Sequence, residues 1–292
     1  MRVNPILKKD VKVASRSMKL SLEILAFEAI LLIIFLFSIK YVFDYGAFYY
    51  YGSVGDRLRE LVSLFPILSA TEVVMVGLVL PIMTASSITG EKERQTFDIM
   101  LTTSMSPIAI VIGKVQTAIT KMMLFIVASI PIMAISFVMG GLSWGYLFAF
   151  LVLIFIYSIF CASLGIFCSS ICAKSISSII LSYVFYGVFY GATFIPMLIS
   201  VLNGGEGRLV VNFLLINPVM LFEEFYLHMM EGSSAINELN YYSSSWLYDG
   251  KHWMYLCAIA ILLVSIGLML LTAKKIDPMK NKKIKQPKKK AE

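Results

Sequence analysis

"SITGEKERQTFDIMLTTSMSP", Ser87 to Pro107, lies between two long apolar stretches and is too short to fold as a domain. Five of the nine residues from Gly90 to Asp98 are charged: Glu91, Lys92, Glu93, Arg94 and Asp98. The stretches on either side each exceed the ~20 residues that a helix needs to cross a ~30 Å hydrocarbon core. The chain therefore leaves the apolar phase at this segment and re-enters it. Glu93, Phe97, Met100 and Leu101 fall on one helical face and Glu91, Arg94, Gln95 and Asp98 on another, which predicts a short amphipathic helix. Gly90 is expected to break the preceding span, and Ser106 with Pro107 to form the N-cap and first turn of the next.

The rest of the chain extends this pattern. Its 292 residues are 59% hydrophobic and 15% charged, where soluble domains carry about 25% charge. Mean hydropathy is +0.82. Such a chain is an all-α integral membrane protein. Six spans are expected: Leu20 to Val42, Leu61 to Ile88, Ile108 to Met139, Tyr146 to Ile171, Ile176 to Leu202, and Trp253 to Thr272. Pro66, Pro81, Pro131 and Pro196 are expected to kink them. The stretch Leu209 to Met230 is also apolar, but Pro218 interrupts it and Glu223 with Glu224 would lie deep in lipid. It is read as part of an outer re-entrant or interfacial hairpin within residues 203–252.

Cations set the expected direction. The first 19 residues hold six of them and Lys274 onward holds nine, whereas the region from Asn203 to His252 has two against six acids. Both termini are therefore expected in the cytoplasm, with residues 1–19 as an amphipathic segment and 273–292 as a basic tail. The tail reads as a topology anchor or as a site for anionic lipid. Trp144, Trp246 and Trp253 then fall at the outer boundary, where amphipathic rings settle. Because the net charge of +7 is concentrated at the two ends and not on a folded face, nucleic acid is not an expected partner.

Catalytic patterns are missing. The four cysteines all fall in apolar stretches without a CxxC pair, and His228 and His252 stand far apart, so no metal or cofactor is expected in this chain. There is no GxxxxGK[ST] phosphate loop, HExxH or GxSxG, so the chain is not expected to be an enzyme. The intramembrane charges Glu28, Glu72 and Lys121 are candidate gating or substrate contacts, and Lys121 is placed to pair with one of the acids.

"GEKERQTFDIMLTTSMSPIAIVIGK", Gly90 to Lys114, resembles the cytoplasmic signature of membrane permeases of the ABC-2 type. "NPILKKDVKVASRSMK" is similar to that family's N-terminal connecting helix, "SLGIFCSSICAKSISSIILSY" to its link between spans four and five, and "INPVML" to its outer hairpin. The resemblance implies an export permease that pairs with a second copy or a paralogue and docks on two separate ABC ATPase subunits, which carry the ATP and Mg²⁺. It makes residues 90–105 a coupling helix, with Glu91, Glu93, Arg94, Phe97 and Leu101 at the junction and Lys174 in a second, smaller contact. At Gln95 many members have Gly. Spans two and five are expected to line a path at the dimer interface for lipid, hydrophobic peptide or antibiotic, in a bacterial cell membrane. The alternative from another class is an ATP-independent channel or secondary carrier, which should show inverted repeats or helices broken at mid-membrane.

Overall fold

The structure, a computed structural model, describes residues 17–49, 61–97, 106–191, 194–195, 214–230 and 250–277. Residues 1–16, the whole coupling segment beyond Phe97, Trp246, Pro196 and most of the outer region 203–252 lie outside them. Among the described residues every regular element is helical.

Among the described residues, five helices are long and apolar enough to cross a membrane. They are α1 (Met18–Tyr49), α2 (Leu64–Glu93, entered through a 3₁₀ turn at Leu61–Ser63), α3 (Pro107–Met139), α4 (Trp144–Ile171) and α7 (Gly250–Ile276). The expected fifth span is helical over α5 (Ser175–Gly191), 17 residues or about 25 Å at 1.5 Å per residue. α6 (Pro218–Met230) is only 13 residues long and begins at the proline, with the Asn217 side chain accepting from the Val219 N–H at 2.9 Å. At about 20 Å it is shorter than the ~20 residues, or ~30 Å, that a span needs. Glu223 is exposed, and Glu224 is buried.

Successive spans alternate in direction. The ends of α2, α4 and α7 and the starts of α1, α3 and α5 share the end of the bundle that carries Lys92, Lys114, Lys174 and Lys275, here termed the basic end. α4 is the most buried span, packed between α2 and α7 and touching α3 and α5 as well. α1 covers α2 and α3 from outside and turns Leu32, Leu36 and Phe37 outward, as a helix facing hydrocarbon does.

Two kinds of packing hold α4. Toward the end opposite the basic one it presents large rings: Phe150 lies 5.7 Å from Phe65, itself 5.6 Å from Phe137, while Phe222 of α6 lies 5.6 Å from Tyr157, all edge-on. Toward the basic end the contact is close. A Cβ added at Gly165 would strike the Thr84 hydroxyl and come 3.6 Å from the Ala85 nitrogen, so glycine lets α4 reach the α2 backbone.

Three expectations about single residues change. Gly90 does not end α2, which runs on to Glu93; one glycine costs a helix only about 1 kcal/mol against alanine, and Glu91, Lys92 and Glu93 beyond it are bonded to three other helices. Pro66 sits in the first turn of α2, where the missing N–H has no helical partner to lose, so among the described residues only Pro81 and Pro131 fall in helix interiors. Trp144 is exposed at the end opposite the basic one, but Trp253 at the same end is 1% exposed and belongs to the core. The cap at Ser106 is present: its hydroxyl accepts from the Ala109 N–H at 3.3 Å, with Pro107 at the first helical position.

Candidate functional site

Three consecutive side chains at the end of α2 reach three different helices. Glu91 pairs with Lys114 of α3 at 2.6 Å, a half-sheltered contact. Lys92 turns to the end of α4, where its ammonium donates to the carbonyl oxygens of Ser170 at 2.7 Å, Cys172 at 2.9 Å and Ser169 at 3.3 Å. The last carbonyls of a helix have no partner within it and carry its negative dipole end, so a three-donor cation is the matching group. Glu93 turns to the start of α5, accepting from the Ser175 N–H at 2.7 Å and the Ser175 hydroxyl at 2.9 Å. There the dipole is positive and the N–H groups are unpaired.

A fourth contact lies one turn back. The Ser169 hydroxyl oxygen accepts from the N–H groups of both Ile88 and Thr89 at 3.0 Å, and the hydroxyls of Thr89 and Ser175 are 3.2 Å apart. The link from Cys172 to Lys174 is thus held on both sides by α2. Lys174 is exposed, with a favourable electrostatic interaction toward Glu93.

Beyond Glu93 the chain makes a sharp stop. The Thr96 N–H bonds the Glu91 carbonyl at 2.9 Å and the Gln95 N–H the Lys92 carbonyl at 3.1 Å. This 6→1 and 5→2 pair is the Schellman motif, which needs a left-handed residue between. That residue is Gln95, with φ of 59°. It is the position at which the resemblance has Gly, and the backbone explains why. Arg94 is exposed, and Phe97 folds back so that its ring centroid lies 5.7 Å from the Lys92 ammonium. Leu101 lies outside the described residues.

The structure therefore gathers Glu91, Glu93, Arg94, Phe97 and Lys174 at the basic end and adds three residues that the sequence had not singled out as site residues: Lys92, Lys114 and Ser175. The signal for Lys92 and Glu93 was the need of two adjacent helix ends for a donor and an acceptor. Their direction could not be read from a helical wheel, because both targets lie about eighty residues away in sequence.

The intramembrane charges are arranged otherwise than expected. Glu72 of α2 is buried and lies 2.6 Å from the hydroxyl of Ser129 on α3, within electrostatic reach of Glu28 on α1. Both carboxyl oxygens of Glu28 are buried without a hydrogen-bond partner among the described residues. Lys121 pairs with neither acid. It lies eight residues before Ser129, about 12 Å nearer the basic end at 1.5 Å per residue. Among the described residues no cluster of three metal-ligating side chains occurs, and the four cysteines are free.

A comparison with curated proteins finds no match. A comparison with family models gives one for residues 70–269, described as ABC-2 family transporter protein. The match covers α2 to α7 through Met269, including the three charged contacts and the turn after them. The chain is a membrane-spanning component of the ABC-2 transporter family.

Proposed function

We propose that the chain is the permease subunit of an ATP-driven exporter, pairing with a second permease copy or paralogue around a path lined by α2 and α5 and driven by two separate ABC ATPase subunits. ATP and Mg²⁺ belong to those partners. Both termini and the basic end face the cytoplasm of a bacterial cell, and the cargo is a lipid, hydrophobic peptide or antibiotic.

The observation that carries this reading is the triple contact of Glu91, Lys92 and Glu93. A displacement applied to the turn at Arg94 and Gln95 passes through these bonds to α3, α4 and α5 together, because each bond is charge-assisted and directional. A flexible loop would lose that displacement in its own bending. In this reading the residues that the sequence grouped together have different tasks. Glu91 and Glu93 hold the platform through their bonds to Lys114 and Ser175, while Arg94 and Lys174, exposed as Glu93 is, serve as docking groups. ATP binding on the partner then biases an equilibrium between two states of the whole bundle.

Co-purification with the cognate ABC ATPase tests this. Arg94→Glu with Lys174→Glu is expected to release the ATPase while the permease keeps its thermal stability. Glu91→Gln with Glu93→Gln is expected to keep the ATPase but uncouple its ATP hydrolysis from transport. Transport by the reconstituted subunit alone, without nucleotide, would replace this reading with a channel or secondary carrier.

A further inference from the structure

α1, α2 and α3 bring two carboxylic acids together within the membrane-spanning part of the bundle. Glu72 of α2 is 1% exposed and lies within electrostatic reach of Glu28 on α1. Ser129, which bonds Glu72 from α3 at 2.6 Å, is fifteen residues from Lys114 and ten from the end of α3 at Met139, about 22 and 15 Å by helical rise. The acids are thus remote from both ends of the spans. Beside them Phe27 of α1 meets Phe125 of α3 edge-on at 5.3 Å, so the pair sits where α1 docks on the bundle.

The polar groups around the pair do not balance. Both carboxyl oxygens of Glu28 are wholly buried and have no hydrogen-bond partner among the described residues. Glu72 has the Ser129 hydroxyl at one oxygen, and that hydroxyl also lies 2.9 Å from the Ile126 carbonyl. The Tyr226 hydroxyl of α6 is within electrostatic reach of Glu72 and is likewise buried without a hydrogen-bond partner among the described residues.

No positive charge meets these acceptors. Between Leu64 and Gly90, α2 has no other charged residue, and α4 and α5 have none at all, their titratable groups being tyrosines and cysteines. On α1, Glu23 and Lys40 are five and twelve residues from Glu28, about 8 and 18 Å. Lys121 of α3 stands about 12 Å from Ser129, toward the basic end. On α6, Glu223 is exposed and Glu224 lies toward Cys257 of α7, while α7 carries its charges at its two ends. Two ionised carboxylates in this place would repel each other and lose their hydration with nothing to replace it. A proton on each removes both costs.

We propose that Glu28 and Glu72 form a proton-binding pair that fastens α1 to α2 and α3 while both acids are protonated and loosens it when a proton leaves. α1 is the least buried of the five long helices, and Leu32, Ile33, Leu36 and Phe37 face outward, so it can shift without unpacking α4. Protons bias its docking as any ligand biases the state that binds it. The docked state binds more protons than a separated one, so docking weakens as pH rises. The pair stands apart from Glu91, Lys92 and Glu93 and does not depend on the coupling proposal.

Dicyclohexylcarbodiimide, a lipid-soluble reagent that attacks protonated carboxyl groups, tests this on the full chain in phosphatidylcholine nanodiscs without ATP or an ATPase. Modified residues are mapped by mass spectrometry across a pH series. At pH 6, Glu28 is expected to be modified several-fold more than the exposed Glu23 and Glu223, with modification declining toward pH 9. In Glu72→Gln the decline should come at lower pH, because the neighbouring charge that opposed ionisation is gone. Thermal unfolding supplies a second readout. The wild-type midpoint should fall as pH rises from 6 to 9, and fall less in the double variant Glu28→Gln with Glu72→Gln, whose amides stay neutral. Either single variant gives the same comparison if the double variant does not fold. Modification of Glu28 no greater than that of Glu23, a Glu28 profile unmoved by Glu72→Gln, or Gln variants with the wild-type pH slope overturn the proposal.

Discussion

Lys92 and Glu93 are neighbours in the chain whose side chains hold opposite helix poles: the ammonium of one is 2.7 Å from the Ser170 carbonyl at the end of α4, and the carboxylate of the other is 2.7 Å from the Ser175 N–H at the start of α5. Each charge has the sign that its helix end attracts. Reversing the order of the two residues would place both against a like pole.

Replacing Lys92 by Met keeps the length of the side chain and removes the donors. Hydrogen bonds to charged groups contribute about 1.5 to 3 kcal/mol, and partial exposure places the expected loss near the lower figure. Thermal unfolding in detergent should show the lowered midpoint, and Lys92→Arg should recover part of it. An unchanged midpoint for Lys92→Met would mean that water caps α4 equally well.

Gln95 occupies a left-handed position that costs a side-chain-bearing residue about 1 to 2 kcal/mol. Gln95→Gly is therefore expected to stabilise by up to about 1 kcal/mol, after the greater chain entropy that glycine loses on folding. Gln95→Val should destabilise, since a branched Cβ tolerates this backbone least. Comparing the two midpoints tests the turn independently of any partner.

Ser129 has one hydroxyl hydrogen and two oxygens near it, Glu72 Oε1 at 2.6 Å and the Ile126 carbonyl at 2.9 Å. The carbonyl can only accept, so both bonds form in full only when the carboxyl group brings a proton of its own. Glu72→Gln, whose amide donates in the same place, is expected to fold with near wild-type stability. Ser129→Ala should cost about 1 to 3 kcal/mol by leaving a buried polar group unpaired. An infrared carboxylic-acid C=O band present in the wild type and lost in Glu72→Gln would establish the proton; its absence in both would refute it.

Gly165→Ala drives a methyl group into the Thr84 hydroxyl. Overpacking of this kind costs about 1 to 3 kcal/mol. Adding Thr84→Ala removes the nearest obstructing atom and should restore part of the loss, a non-additivity that the double mutant measures directly. Strict additivity would place the damage elsewhere.

Much of the architecture could be read directly. Runs of about twenty apolar residues have few ways to satisfy their backbone in lipid other than a helix, so five long helices stand where the apolar stretches fall. Ser106 and Pro107 marked their cap because both features act through adjacent backbone. The break at Pro218 was legible too, since α6 starts at that proline and runs for 13 residues. Local punctuation was less reliable: Gly90 looked like a stop, yet α2 runs past it to side chains bonded to residues twenty-three to eighty-two positions away in the chain.

What the sequence by itself determined was the membrane class, the positions of the long helices and the family resemblance around Gly90 to Lys114, because composition and local periodicity act through the chain's own neighbours. Only the tertiary structure decided which way the charges point. Glu91, Lys92 and Glu93 turn to α3, α4 and α5, and Glu72 turns to Ser129 and not to Lys121. The physical reason is the same in each case: a polar group in a low-dielectric interior takes the nearest matching partner in space, and helix packing, not sequence distance, sets which partner is nearest.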